Sequence, residues 1–160
     1  MTIKALPKGL LKNKILLFLL LCYGTGFFIM AFLQTPENMS WYETLRHPFF
    51  TPPGYVFSIV WSILYALIAL SSAFIWEKAD KTSKFLFFSQ LIGQIIWSFT
   101  FFFAHQILAG AGVLFLLCVI IGMMMKSYYK ISILASYMLF PYFLWCVFAT
   151  YLNLGSVLIN

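Results

Sequence analysis

The sequence is poor in charge. Only 9% of its 160 residues are Asp, Glu, Lys or Arg, against roughly 25% in an average soluble domain, and this shortfall excludes an ordinary water-soluble fold. Acidic residues are the scarcest, with just Glu37, Glu43, Glu77 and Asp80, and none falls inside a long apolar run. Without carboxylates there, paired acid–base groups and a Ser-His-Asp triad are missing, and no Walker loop is present. The three cysteines, Cys22, Cys118 and Cys146, stand singly in separate apolar runs, so neither a Cys-x-x-Cys redox pair nor a zinc site can form and they read as small core residues. His47 and His105 lack carboxylate or thiolate partners and make a poor metal site, so no metal and no cofactor is expected. Glycine and proline are scattered without a period, which excludes collagen-like and low-complexity chains.

What the chain has instead is apolar length. Residues of apolar type make up 63% of it, which also excludes disorder. A helix crossing about 30 Å of hydrocarbon needs about 20 apolar residues. Cutting at charge and turn residues leaves five such spans, 15–33, 55–76, 85–104, 107–125 and 131–159, none containing Asp, Glu, Lys or Arg. The fold class expected is therefore an all-α integral membrane protein, a five-transmembrane-helix bundle forming one domain over residues 1–160. Only His105 and Gln106 separate the third and fourth spans, which predicts a tight antiparallel hairpin. Lys4, Lys8, Lys12, Lys14, Lys78, Lys81, Lys84, Lys126 and Lys130 fall on one face of such a bundle, and Arg46 stands on the other with both histidines. The positive-inside rule then places the N-terminus in the cytoplasm and the C-terminus outside. The net charge of +6 is thus a topology signal rather than a nucleic-acid surface. A cleavable signal peptide is disfavoured because the first apolar run is too long and lacks a small-x-small end.

Aromatic residues form 21% of the chain, and a belt of Trp and Tyr at the membrane surface is their ordinary role. Trp41, Tyr42 and Trp76 suit it. Trp61, Trp97 and Trp145 lie deep in their spans, where an indole N–H needs a partner. Gln90, Gln94, Trp97 and Phe101 share one helical stripe, which should face the bundle interior because amides facing lipid would be unsatisfied. Trp61 and Tyr65 are one turn apart, and Trp145, Phe148, Ala149 and Leu152 share a face. These positions fit helix-to-helix adhesion, and equally an aromatic-walled small-molecule pocket with a few polar groups. Pro141 predicts a bend in the fifth span. Loop 34–54 is long for a bundle and ends in prolines, as a stiff lid would.

The stretch from Trp41 to Pro53, W-Y-E-T-L-R-H-P-F-F-T-P-P, continues into Val60-Trp61-Ser62-Ile63-Leu64-Tyr65. It resembles the signature of the TspO/MBR translocator proteins, or tryptophan-rich sensory proteins. Pro141 to Asn153, P-Y-F-L-W-C-V-F-A-T-Y-L-N, resembles their second conserved segment. The resemblance implies a homodimeric five-helix bundle in a bacterial cytoplasmic membrane, with no nucleic-acid partner. Its pocket would lie beneath a lid that includes Trp41, Pro48, Phe50, Pro52 and Pro53. It implies binding of protoporphyrin IX or similar hydrophobic aromatics, with Tyr42, Trp61, Trp145 and Ala149 matching the family's pocket positions, and the helical stripes add Tyr65, Gln94, Trp97 and Phe148 to the expected ligand-binding set. It also implies, as an alternative, light- and oxygen-dependent porphyrin breakdown with Trp61 and Trp145 as catalytic residues. A transporter is a lesser alternative, since neither an inverted repeat nor an intramembrane charge supports one. His47, Phe50, Gln94 and Ile95 depart from the family's usual Lys, Trp, Asn and Trp. The animal sterol-recognition segment is absent after Asn153, so sterol binding is not expected.

Overall fold

The computed structural model describes residues 8–160. Helices α1 (Lys8–Phe28), α2 (Pro36–Thr44), α3 (Gly54–Ile75), α4 (Lys81–Ser98), α5 (Ile107–Tyr129), α6 (Ile133–Met138) and α7 (Phe140–Ile159) follow in order, and among the described residues there is no strand. Five helical segments are long and apolar enough to cross a membrane: Leu11–Leu33, Gly54–Ile75, Lys81–Phe103, Ile107–Tyr129 and Ile133–Ile159. They close into a ring in which α1 lies against α3, α3 against α6 and α7, α7 against α5, α5 against α4, and α4 against α1.

The spans match the sequence expectation, with three differences. The first loop contains α2, opened by Thr35, whose side-chain oxygen accepts from the Asn38 amide at 3.4 Å, and by Pro36 in the first turn. There a missing N–H costs nothing. The fifth span is not one bent helix. It is interrupted at Leu139, so Pro141 falls in the first turn of α7 and no internal hydrogen bond is lost. Lastly, α1 and α4 each end in a π-helical turn, Ile29–Leu33 and Phe99–Phe103, closed by Gln34 N to Ile29 O at 2.9 Å and Ala104 N to Phe99 O at 2.8 Å.

Side-chain contacts fix which loops share a face. Lys14 pairs with Glu77, so the start of α1 and the α3–α4 turn lie together. Trp41 stacks on His105 at 4.1 Å, and Asn160 bonds the backbone of Arg46, so the first loop, the α4–α5 hairpin and the end of α7 share the other face. Among the lysines assigned to the basic face, Lys4 and the side chain of Lys8 lie outside the described residues. In the half of the bundle nearer the lysines, small hydroxyls tie helices together. Ser71 donates to Ala135 O at 2.7 Å, Ser72 meets the Tyr128 hydroxyl at 3.0 Å, and Ser136 donates to Met125 O at 2.9 Å. At the start of α4, Asp80 Oδ1 accepts from the Ser83 amide at 2.7 Å, and hydrogen bonds from Ser83 hold its carboxyl below the usual range.

Close packing of α1 on α3 depends on Gly26, where a Cβ would lie 2.5 Å from the buried Tyr65 ring. Gly26→Ala is expected to lower the thermal unfolding midpoint in detergent, at a cost of about 1–3 kcal/mol from overpacking. Gly24→Ala, where a Cβ meets nothing within 4 Å, should leave the midpoint unchanged or slightly higher. Equal shifts in the two variants would refute the contact. Asp80 supplies a second test. Because its folded pKa is lowered, its contribution is present above the ordinary carboxylate pKa and is lost as pH falls through the lowered value. A carboxyl titration at or above the ordinary value would contradict the cap.

Candidate functional site

On the lid side, the ends of α1 and α4 receive α2. Asn38 Nδ2 donates to Leu33 O at 2.9 Å, anchoring α2 on the end of the first span. Trp41 packs on Phe101 at 5.7 Å as well as on His105, and Tyr42 on Phe102 at 5.7 Å. The α2 rings therefore close over the π-helical turn of α4, and burial raises the Tyr42 phenol pKa. Beyond α2 the chain runs as a strap across the end of α7. Arg46 N donates to Asn160 Oδ1 at 2.9 Å, Asn160 Nδ2 donates to Arg46 O at 3.0 Å, and the Tyr151 hydroxyl donates to Phe49 O at 3.0 Å. Pro48 sits so close to Gly155 that a Cβ there would lie 2.7 Å from its ring. Pro52 is half-buried and Pro53 caps α3. Phe50 turns away, 74% exposed, with a φ of 68°.

Below this lid the interior carries amides and rings. Gln94 Nε2 donates to Gln90 Oε1 at 2.7 Å and to the Tyr142 hydroxyl at 2.8 Å, and Tyr142 donates to Gln90 Oε1 at 3.0 Å. The triangle joins α4 to α7 in the middle of the bundle. It leaves Gln90 Nε2 and Gln94 Oε1 without partners, as are Trp97 Nε1, Ser98 Oγ and Asn153 Oδ1, all fully buried. The contrast with Ser71, Ser72 and Ser136, each hydrogen-bonded, is informative. Each such orphan costs roughly 1–3 kcal/mol, and they gather on the inner stripe of α4 and the facing turn of α7. Among the described residues the buried polar set is made of amides and hydroxyls, with no charged group.

The predicted pocket residues fall into three connected groups. Tyr42 and Trp97 are joined through the rings between them, Tyr42 packing on Phe102 at 5.7 Å and Trp97 on Phe101 at 6.1 Å and Phe102 at 5.7 Å. Trp61, Tyr65 and Gln94 gather around Tyr142, with Trp61 at 5.4 Å from Tyr65 and 6.1 Å from Tyr142. Trp145 and Phe148 turn toward a groove of about 410 Å³ between α3 and α7, lined also by Val60, Ile63, Leu64, Pro141 and Leu144. Ile63 and Leu144 are 56% and 50% exposed, so this groove opens on the outer surface of the bundle. Ala149 is buried one turn beyond Trp145. Trp61 and Trp145 thus stand on facing helices but belong to different groups. Tyr142 and Gln90 complete the polar triangle without having been singled out as site residues. The stripe through Gln94 carried the signal for Gln90, and the Pro141-Tyr142 pair that for Tyr142.

A lidded five-helix membrane bundle with an aromatic and amide-lined interior is the class of protein that this fold and site define. Residues 18–158 match the TspO/MBR family, and the chain belongs to that family. It is 35% identical over 153 residues to the tryptophan-rich protein TspO of Bacillus cereus, covering 93% of this chain and 97% of that one. It is also 35% identical over 158 residues to the protein of the same name from Chlorobaculum tepidum, covering 92% and 99%. With the human translocator protein it shares 31% over 134 residues, covering 80% and 79%.

The strap's grip on α7 can be tested. Asn160→Ala removes two hydrogen bonds to Arg46, about 1 kcal/mol each, so tryptic cleavage after Arg46 in detergent should accelerate roughly 5–30-fold. Gly155→Ala, which pushes on the Pro48 ring, should act in the same direction. Unchanged cleavage in both would show that α7 does not hold the strap.

Proposed function

We propose that the chain is a membrane receptor for flat aromatic ligands of the porphyrin class, in the cytoplasmic membrane of a bacterium, with the lysine-rich face inside. The observation that carries this reading is the set of unpartnered buried atoms on Gln90, Gln94, Trp97, Ser98 and Asn153, lying among indole and phenyl rings beneath the lid. A ligand with a ring face and a polar edge recovers both terms. Its faces stack on aromatic side chains, a gain of about 0.5–1.5 kcal/mol per ring pair, and its edge bonds the free amide and indole groups. The uncharged interior disfavours a buried carboxylate, so the propionates of protoporphyrin IX would lie at the rim, near the exposed Arg46 and His47. Exposed Gly24 and Gly112, where a Cβ meets nothing within 4 Å, support close approach of a second copy in a homodimer.

The test is an absorbance titration of protoporphyrin IX with the purified protein in the dark, followed by illumination in air. Saturable binding is expected, weakened about tenfold in the Trp61→Leu, Trp145→Leu double variant. Absence of saturable binding would reject the porphyrin reading. Bleaching under light in the wild type but not in the Trp61→Phe, Trp145→Phe variant, both at saturating porphyrin, would extend the receptor to an oxidative enzyme. Identical spectra before and after light would leave a receptor alone.

A further inference from the structure

The lysine-rich face holds a second cavity, of about 210 Å³, lined by Lys78, Asp80, Ser83, Ser127, Lys130 and Ile131. It lies between the α3–α4 turn, the start of α4 and the end of α5, across the bundle from the lid. Ser83 Oγ and Ser127 Oγ are 2.7 Å apart. Ser127 donating to Ser83 and Ser83 donating to Asp80 use both hydroxyl protons, so the pair ties the end of α5 to the start of α4. Asp80 is held ionised by the Ser83 hydrogen bonds and by Lys130. Its Oδ1 already occupies the Ser83 amide, so that amide is not open to a ligand. The two lysines and one carboxylate of the lining leave one positive charge unbalanced.

Depth in the membrane narrows the ligand. Lys84 Nζ lies 5.3 Å from the centre of the Trp76 ring, beside the same turn, and an indole with a lysine over it is characteristic of headgroup level. A group reaching this cavity from the bilayer is therefore a lipid head, and the one that matches a single positive charge with two ammonium donors is a phosphodiester. We propose that this cavity seats the phosphodiester of an anionic phospholipid of the phosphatidylglycerol type. Lys78 and Lys130 meet its charge and donate to its phosphoryl oxygens. A choline head brings its own cation to a lining that is already positive, and it carries no hydrogen-bond donor for Asp80. The site stands apart from the lid-side interior and does not depend on what binds there.

Native mass spectrometry of the delipidated full-length chain in detergent reads the lipid adducts directly. Phosphatidylglycerol is expected to bind more tightly than phosphatidylcholine of the same acyl chains. The Lys78→Gln, Lys130→Gln double variant should lose roughly fivefold in affinity per lysine. A Lys12→Gln, Lys126→Gln variant removes the same total charge from the same face but not from the cavity, and should retain the preference. Equal loss in both variants would show that overall charge, not this cavity, selects the lipid, and would overturn the proposal. So would equal binding of phosphatidylglycerol, phosphatidylcholine and phosphatidylethanolamine by the wild type. Displacement of the lipid by millimolar inorganic phosphate would make the site one for free phosphate and would likewise overturn it.

Discussion

Hydrocarbon offers no hydrogen bonds, and every polar group placed in it must be answered from within the protein. The architecture follows from that one constraint. It makes the spans helical, keeps every Asp and Glu outside the long apolar runs, and gives hydroxyls rather than charges the task of linking helices. Ser71, Ser72 and Ser136 each reach across to another segment. It also gives the exceptions their meaning. Gln90, Gln94, Trp97 and Asn153 have buried atoms that the fold leaves unanswered, and they are clustered rather than scattered. In native structures such groups are exceptions, accounted for by an ordered water, by strain or by a functional role.

The same constraint explains the division of the bundle along its axis. The half nearer the lysines is closed by satisfied hydroxyl contacts and by Tyr128, Met124 and Ile121, all fully buried. The half nearer the lid is looser in polar terms and denser in rings. Two π-helical turns end the spans there. Phe101 and Phe102, inside the second, are buried under α2. Rigid ring packing on one side and a strap fastened to α7 on the other give the lid two different kinds of attachment.

Much of this was legible in the sequence because lipid forces a simple code. Span number, the tight hairpin at His105 and the inward face of the Gln90–Gln94–Trp97–Phe101 stripe all follow from apolar length and helical period. The helix α2 was not read from the sequence, where a loop is the expectation: Thr35-Pro36-Glu37 is a cap, a first-turn proline and an acidic first turn, but its nine residues carry almost no apolar periodicity. The break at Leu139 was not legible. A proline predicts a bend about one turn before itself, and only the packing of α6 on α3 and α5 decides that the helix stops there. Nor could spacing alone separate Trp61 from Trp145. Both lie deep in their spans, and which way each ring turns depends on Tyr142 and Phe57 across the helix interface.

The interruption at Leu139 makes α7 a straight element separate from α6. Its 20 residues, about 30 Å of helix, carry Trp145 and Phe148 on the groove wall and then Tyr151 and Gly155 under the strap, with Asn160 just beyond the last turn. Wall and fastening are parts of one rod. A tilt of that rod therefore moves the groove wall and the strap together, so that the two are geared to one another rather than free to shift separately.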